Sequence, residues 1–537
     1  MAVCYLCVRP GYETWFYSDA PFHLALIREH IEKSQWLFPG DPFFSGYPTP
    51  LHHSLVHVLG AILARMTGSV EYAWTFLGVI YLWLAVTTAV LLGNAIFYRA
   101  RYTYGFAVLF ILMLLTSSMI PDLSLFSALF IFIGYVGVIR TVERGRISWH
   151  DAVVIGLLCG LAIAIRLLPG LFGYAGIISL MIFMVVQKKM KVSHPVAVAF
   201  LVCLPLIIAS PWLGNMIGQS LVVERGESAL PVNTLPSYLE LRKGYVVDMF
   251  RLFPFVWLRH ILLSIYVTGI ILLFRDKKFL YKQSCIVLRW IVIFYAVLFI
   301  LPWRWFAELC GLDSYSTWRL VYVMSRMLVL VPPALPLFLV TLILHERGIF
   351  SEDVRGKKLF SGVQAISSFA ILCVILSGPA IRTRMRFETP YNVRSRLGYL
   401  TVQQKPLLSL VKGEIVLSDA WTSYLTKYKL GFYCVTIPAG HSSPGVDVVE
   451  RSCQAQRFFS GCMSEKENAV FLRSYGIRYV LVNLPLVRNE PGLELSSVEY
   501  KNYNSDYLKG LKILELLYQD DELILWRTKK EKSVESL

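Results

Sequence analysis

Two aspartates have the residue type and the sequence setting that acid–base chemistry requires. Asp19 lies in YSDAPFH near the start of the chain, and Asp122 lies in SSMIPDLSLF between two long apolar stretches. A carboxylate in such a place can take a proton from an attacking group or organise a metal ion. Acids near a membrane are costly and more often mark function. Each aspartate also fits a plain structural role, as the cap of the helix that follows it.

Histidines and a further acid lie in the same early segment. His52 and His53 are followed by His57 about one helical turn later, a spacing that allows a shared metal ion. The alternative is that each ring forms an ordinary hydrogen bond with a neighbour or a lipid headgroup. Asp41 precedes a proline in GDPFFSGYP, which favours a turn residue.

Three arginines are candidates for binding a phosphate. Arg166 ends the apolar run GLAIAIRLLPG, while Arg319 and Arg326 flank the start of another apolar run. The guanidinium group suits phosphate or pyrophosphate because it can donate two parallel hydrogen bonds. The alternative is that these side chains anchor helix ends by reaching to the membrane surface.

The elements that must position these residues are mostly membrane helices. The chain is 56% hydrophobic and 16% charged, with a mean hydropathy of +0.56, which is typical of an integral membrane protein. Ten apolar stretches are long enough to cross a bilayer. They lie near 72–98, 104–120, 123–140, 151–166, 168–187, 195–214, 255–274, 285–303, 322–344 and 361–379. The pair 151–166 and 168–187 is either a tight hairpin or one broken helix.

Basic residues predict the orientation of these spans. Every second loop is basic, and the five basic loops, near 99–102, 140–146, 187–191, 275–282 and 345–358, hold 16 Lys and Arg against 6 in the intervening loops. Cytoplasmic loops retain such residues. The opening segment and everything after 379 are therefore predicted on the outer face. Most of the net charge of +16 is this topology signal, which argues against a nucleic-acid partner.

Three regions follow from these patterns. Residues 1–71 form an outer first loop with two amphipathic helices. In the first helix, Arg28, Glu29 and Glu32 face away from the apolar side. The second helix, which begins near Leu51, is predicted to lie in the membrane interface. Residues 72–379 form the transmembrane helical core. Residues 380–537 read as an extracytoplasmic α/β domain, with strands in EIVL, FYCV, RYVLVN and ELILWRT and helices between them. A disulfide between Cys453 and Cys462 is expected there.

The order of these features resembles the GT-C class of polytopic glycosyltransferases. An acid in the first outer loop, amphipathic helices around DPFFSGYPTPLHHSLVHVLG, a long span, a basic turn, and a second acid after the next span follow the pattern of that class. GYPTPLHHSL is similar to the segment that precedes its interfacial helix, and GLAIAIRLLPGL to one of its helical pairs. The class includes protein mannosyltransferases, aminoarabinose transferases and oligosaccharyltransferases.

The resemblance implies an enzyme that moves a sugar from a polyprenyl-phosphate-linked donor to a lipid, glycan or protein acceptor. The reaction would take place at the outer face of the plasma membrane, or in the lumen of the endoplasmic reticulum in a eukaryote. Asp19 would be the general base or would organise a metal, and Asp122 would be a second acid near it. Arg166, Arg319 or Arg326 would hold the lipid phosphate. A divalent ion, Mg, Mn or Zn, could bind Asp19 and Asp122, with His52 and His53 as further ligands.

Two departures from the class pattern affect this interpretation. Members of the class have a transmembrane helix directly before the first acid, and MAVCYLCV is too short to be one. The expectation is that either the first long helix exports the N-terminus or the complete protein has a leading helix. No WWDYG-like acceptor motif is visible in the C-terminal region. The alternatives are a transporter or lipid flippase, and a membrane scaffold whose outer domain binds a partner.

Overall fold

The computed structural model describes residues 20–50, 53–97, 99–117, 123–192, 194–222, 256–275, 280–301, 305, 309, 334–346, 412–438, 443, 446–488 and 497–529. These residues divide into two compact units. One contains the described parts of Met1–Phe76, Asn215–Ser228 and Arg384–Leu537, and the other contains those of Leu77–Gly214 and Ala229–Thr383.

The second unit is built from apolar helices. They are α3 (Val70–Ile96, which begins in the first unit), α4 (Ala100–Ser117), α5 (Leu123–Arg144), α6 (Trp149–Ile165), α7 (Leu167–Val186), α8 (Pro195–Val222, which ends in the first unit), α9 (Val256–Arg275), α10 (Lys282–Ile300) and α11 (Ala334–Glu346). Nine of the ten predicted stretches coincide at least in part with these helices, and 361–379 lies outside the described residues. Within the described part of the chain, four helices are long and apolar enough to cross a membrane, namely α3, α5, α7 and α8. The predicted number of about ten spans is not confirmed.

Helices α6 and α7 form a tight hairpin rather than one broken helix. A single extended residue, Arg166, separates them, with φ of −148° and ψ of 106°. Gly170 lies so close to α6 that a Cβ atom there would be 2.4 Å from the Cα of Ile163. Only glycine permits this approach, so the hairpin is encoded in the sequence LLPG.

Four of the five predicted basic loops meet in pairs. The loop after α5 contains β1 (Arg146–Ile147), and the loop after α7 contains β2 (Lys191–Val192); the two strands pair in parallel. The loop after α3 meets the segment before α10, where Phe97 and Leu280 form an antiparallel bridge and Ser284 donates to the carbonyl of Ala95 at 2.6 Å.

The first unit joins the opening segment to the C-terminal sheet. Its helices from the opening segment are α1 (Ala20–Lys33) and α2 (Leu55–Thr67). The C-terminal part contains β3 (Ile415–Leu417), α12 (Ala420–Leu430), β4 (Tyr433–Cys434), α13 (Val448–Ser460), α14 (Glu465–Ser474), β5 (Ile477–Asn483), α15 (Leu484–Val487), α16 (Ser505–Gly510), β6 (Leu514–Gln519) and β7 (Leu523–Thr528). The sheet order is β4-β3-β5-β7-β6; β3 is parallel to β4 and β5, and β7 is antiparallel to β5 and β6.

The predicted α/β pattern of the C-terminal region is confirmed. Buried side chains of β5 and β7, such as Val480 and Leu525, form its core with the aromatic residues of α13. Strand β6 and helices α13, α15 and α16 were not predicted; in α13, charged and polar residues interrupt the apolar pattern. The expected disulfide is wrong, because Cys453 and Cys462 are both free and exposed.

Candidate active site

Most of the predicted chemical residues fall outside the part of the chain that the structure describes. This applies to Asp19, His52, Asp122, Arg319 and Arg326. Their roles therefore remain predictions. Asp19 directly precedes Ala20, the first residue of α1, so the interactions that hold α1 bear directly on the leading catalytic candidate.

Arg166 lies at the tip of the α6–α7 hairpin and is half-buried. Its backbone N–H donates to Ala162 at 3.0 Å, and its carbonyl accepts from Gly170 at 2.9 Å. The strand pair β1–β2 lies at the other end of the same hairpin. Since α6 has 17 residues, the two ends are about 25 Å apart, close to the thickness of a hydrocarbon core.

A buried ion pair fixes α1 to the C-terminal sheet. The Nζ of Lys427, on α12, is 2.6 Å from the Oε2 of Glu29 on α1, and these residues are 0% and 1% exposed. The hydroxyl of Tyr433 donates to the Oε1 of Glu29 at 2.7 Å, and the Tyr433 ring lies 4.0 Å beneath the ammonium group. Glu29 was expected on a face of α1 turned away from the apolar side, yet it is buried because the C-terminal sheet supplies a charged partner.

Further polar contacts surround this pair. Glu32 is 3.1 Å from Lys427 and 2.6 Å from Arg28, which also donates to the carbonyl of Tyr428 at 2.6 Å. Burial works to raise the pKa of Glu32, but the charges of Lys427 and Arg28 outweigh it, and the pKa is lowered. At Gly431, which ends α12 with φ of +83°, a Cβ atom would lie 2.8 Å from Glu32. Glycine therefore lets α12 and α1 approach here.

Two histidines, His23 and His57, form a hydrogen-bonded pair between α1 and α2. The backbone N–H of Ser54 donates to Nδ1 of His57 at 2.9 Å, so that nitrogen carries no proton in the neutral ring. The Nε2–H of His57 then donates to Nδ1 of His23 at 2.8 Å. The His23 ring also stacks on Trp74 with a centroid distance of 5.4 Å. The hydrogen bond that caps α2 at His57 thereby also fixes the tautomer of His23, in the first turn of α1.

A second pair joins His30 and His53. Nδ1 of His30 donates to the carbonyl of Gln35 at 2.7 Å, and its Nε2 accepts from Nε2 of His53 at 2.6 Å. Burial lowers the pKa of His30, and lowers the pKa of His53 and His57 well below its ordinary value. These rings are neutral at pH 7 and act as fixed hydrogen-bonding groups.

The described residues do not show a metal centre. They contain no group of three or more His, Cys, Asp and Glu side chains arranged to hold an ion. His53 uses Nε2 in its bond to His30, and its ring packs against His57 at a centroid distance of 5.5 Å. Binding a metal through this nitrogen of His53 would break the pair with His30. Asp19, Asp122 and His52 remain predicted ligands outside the described part.

Asp41 is a turn residue, as expected, and also binds the C-terminal region. Its Oδ1 accepts from the backbone N–H groups of Phe43 and Phe44 at 2.8 and 3.0 Å. Its Oδ2 accepts from the N–H of Ser443 at 2.9 Å and lies 2.5 Å from the Ser443 hydroxyl, which also contacts the carbonyl of Pro48. Burial raises the pKa of Asp41 to about 6, against the opposing effect of these hydrogen bonds.

Solved structures with the same architecture exist, although sequence comparison finds nothing. No protein-family model and no curated protein sequence matches this chain. The crystal structure of ArnT from Cupriavidus metallidurans bound to undecaprenyl phosphate aligns with 99% of this chain and 98% of its own, with a TM-score of 0.55 and 9% identity. The apo form of ArnT covers 98% and 96% at the same TM-score and 10% identity. The apo oligosaccharyltransferase of Archaeoglobus fulgidus covers 90% and 68%, with a TM-score of 0.50 and 14% identity.

The chain has the GT-C glycosyltransferase fold. At these identities the likeness concerns the fold and not the individual residues. It confirms the predicted GT-C-like fold, while the number of spans and the outer placement of the C-terminal region stay predictions.

Within this GT-C fold, sequence reasoning missed the residues that hold α1. His23 and His30 are seven residues apart, two helical turns, and so lie on one face of α1; this spacing was a usable signal. Glu29 and Lys427 carried no such signal. They are almost 400 residues apart, and each occurs in an ordinary amphipathic helix.

Proposed function

We propose that this protein transfers a sugar from a polyprenyl-phosphate-linked donor to an acceptor on the outer or lumenal face of a membrane. The observation that carries the proposal is the near-complete alignment with ArnT, whose solved structure binds undecaprenyl phosphate. A transporter or a scaffold has no comparable support.

In the proposed reaction, a nucleophilic atom of the acceptor attacks the anomeric carbon of the sugar. A bond forms between these atoms while the bond from that carbon to the phosphate oxygen breaks. Asp19 accepts the acceptor proton, and Asp122 orients the acceptor or stabilises the positive charge that develops on the sugar. Negative charge grows on the departing lipid phosphate, which Arg166, Arg319 or Arg326 would stabilise.

The described geometry supports two parts of this assignment. Arg166 lies at the end of the α6–α7 hairpin opposite the β1–β2 pair, as expected for an outer arginine if the basic loops are cytoplasmic. In addition, α1 is held by a buried ion pair and by two histidine pairs. Such support suits a helix that must present a catalytic group in a constant position. No step is assigned to a metal ion, whose participation remains a prediction.

The test is turnover of a polyprenyl-phosphate-linked sugar panel in proteoliposomes, with free polyprenyl phosphate detected by mass spectrometry. We expect Asp19→Asn and Asp122→Asn each to abolish acceptor-dependent release while the protein still folds. Asp506→Asn is the matched control, because Asp506 is exposed in the C-terminal domain. Wild-type turnover in both test variants would overturn the catalytic assignment.

A further inference from the structure

The β1–β2 pair is a short two-stranded parallel ladder at one end of the helical unit. Arg146 pairs with Lys191 and Ile147 with Val192 in the parallel ladder. The N–H of Lys191 also donates to the carbonyl of Gly145 at 2.9 Å. Ile147 is completely buried, which anchors the ladder to the helices. The loop between α5 and α6 and the loop between α7 and α8 are thus held together by their backbones.

This ladder places like charges side by side. Arg146 and Lys191 are direct partners, and both are exposed. Residues paired in this way share one face of the ladder, and like charges there repel each other. Lys188 and Lys189, in the turn before β2, are exposed as well and add to the positive charge.

Nearby acids do not neutralise the ladder in the described structure. Asp151 is engaged elsewhere: it pairs with Arg144 at 3.0 Å and accepts from the hydroxyl of Ser148 at 2.7 Å. Glu143 is exposed on the last turn of α5, and no ion pair joins it to Arg146 or Lys191 among the described residues. Among the described residues, Arg146 and Lys191 therefore have no acidic partner, which leaves both cations available to an anion from outside the chain.

The position of the ladder indicates the source of that anion. It lies where α5, α7 and α8 begin or end, and these three helices are long and apolar enough to cross a membrane. Trp149 is 49% exposed and Val186 is 70% exposed next to it. A tryptophan beside basic residues at a span end is typical of the headgroup region of a bilayer.

We propose that the β1–β2 ladder binds the phosphate of an anionic phospholipid headgroup. The Arg146 guanidinium donates to the two non-ester oxygens of the phosphate and the Lys191 ammonium donates to one of the same oxygens, so the anion offsets the repulsion between the two cations. Lys188 and Lys189 supply additional attraction to an anionic surface. This binding joins the loop before α6 to the loop after α7 through a lipid, and the proposal holds whether or not the protein transfers sugars.

The experiment compares delipidated protein in neutral detergent with added phosphatidylglycerol or phosphatidylcholine. We expect phosphatidylglycerol to raise the melting temperature of the wild type, and the double variant Arg146→Gln with Lys191→Gln to lose at least half of that rise. Affinity for phosphatidylglycerol vesicles should fall about fivefold for each cation removed. In phosphatidylcholine, the double variant should melt at the wild-type temperature or higher, because a repulsion has been removed.

Lys282→Gln is the matched control, since Lys282 is an exposed lysine in another predicted cytoplasmic loop and is not part of the ladder. It should keep the full response to phosphatidylglycerol. An equal loss in this control would show a general charge effect and would refute the proposal. So would a double variant that melts below the wild type by the same margin in phosphatidylcholine as in phosphatidylglycerol, because that would be a folding defect that does not depend on the anionic lipid. A full response to sodium phosphate alone would assign the site to free phosphate instead.

Discussion

Replacing Lys427 by methionine tests whether the buried ion pair holds α1. The change removes an ammonium group 2.6 Å from Glu29 and leaves a carboxylate that is 1% exposed without its charged partner. Breaking a buried pair from one side costs about 3–5 kcal/mol, because the remaining charge is desolvated and uncompensated. That free energy corresponds to an increase of about 100- to 4,000-fold in the population of opened molecules.

Alkylation of Cys434 measures this opening directly. Cys434 follows Tyr433 in β4, is 2% exposed, and burial raises the pKa of its thiol to about 11. Peptide-resolved mass spectrometry separates its modification from that of the exposed cysteines. In the folded state the charge of Lys427 lowers the pKa of this thiol. Removing Lys427 without opening the structure would therefore leave less reactive thiolate and slow the alkylation. Faster alkylation therefore reports opening.

Two comparisons decide the interpretation. Lys429→Met removes a cation two residues away, whose pair with Glu71 at 3.2 Å is partly exposed, and it should change the rate less than about fivefold. Adding Glu29→Gln to Lys427→Met removes the unpaired charge but keeps an acceptor for the hydroxyl of Tyr433, and it should restore most of the protection. The reasoning is refuted if the double variant is as reactive as Lys427→Met, or if Lys429→Met opens the region equally.

Three further predictions concern other parts of the chain. Folding raises the pKa of Asp41 from 3.8 to about 6, so the protonated carboxyl contributes about 3 kcal/mol of stability that is fully present below pH 3.8 and is lost as the pH rises to 6. In urea unfolding between pH 4 and 7, Asp41→Asn should remove this dependence of the free energy of unfolding on pH. An unchanged pH dependence in the variant would contradict the prediction. Gly170→Ala should destabilise the hairpin by about 1–3 kcal/mol or more in thermal unfolding, since its Cβ meets α6, whereas Gly214→Ala, with open space around it, should not. His57→Phe should destabilise the first unit by about 1 kcal/mol, because it removes the cap of α2. The same variant should reduce kcat for sugar transfer more than it raises KM, because the His57–His23 hydrogen bond to α1 is lost. An unchanged kcat would show that this hydrogen bond does not help α1 to position a catalytic group.

The sequence predicted the architecture because its signals are local. Apolar length, loop charge and strand patterns each depend on a short segment. The break at Arg166 was also visible locally, but the choice between a hairpin and one broken helix was not. The interactions that hold α1 are different, because Glu29 meets Lys427 only through the folded sheet. The proline after Asp41 identified it as a turn residue. The hydrogen bond by which Asp41 also holds the C-terminal region comes from Ser443, 402 positions later in the chain. No local pattern contains that information.

The last turn of α12 connects the C-terminal sheet to α1 and to the first turn of α3. Lys427 pairs with Glu29 on α1, while Lys429 pairs with Glu71 in the first turn of α3. Because Lys427 is fully buried and Lys429 only partly, the contact with α1 should carry most of the free energy and the contact with α3 little. A displacement of α12 would therefore disturb α1 before it disturbs the membrane helix. If the segment before α1 carries the catalytic acid, as proposed, the contact of Lys427 with Glu29 helps to fix the position of that acid.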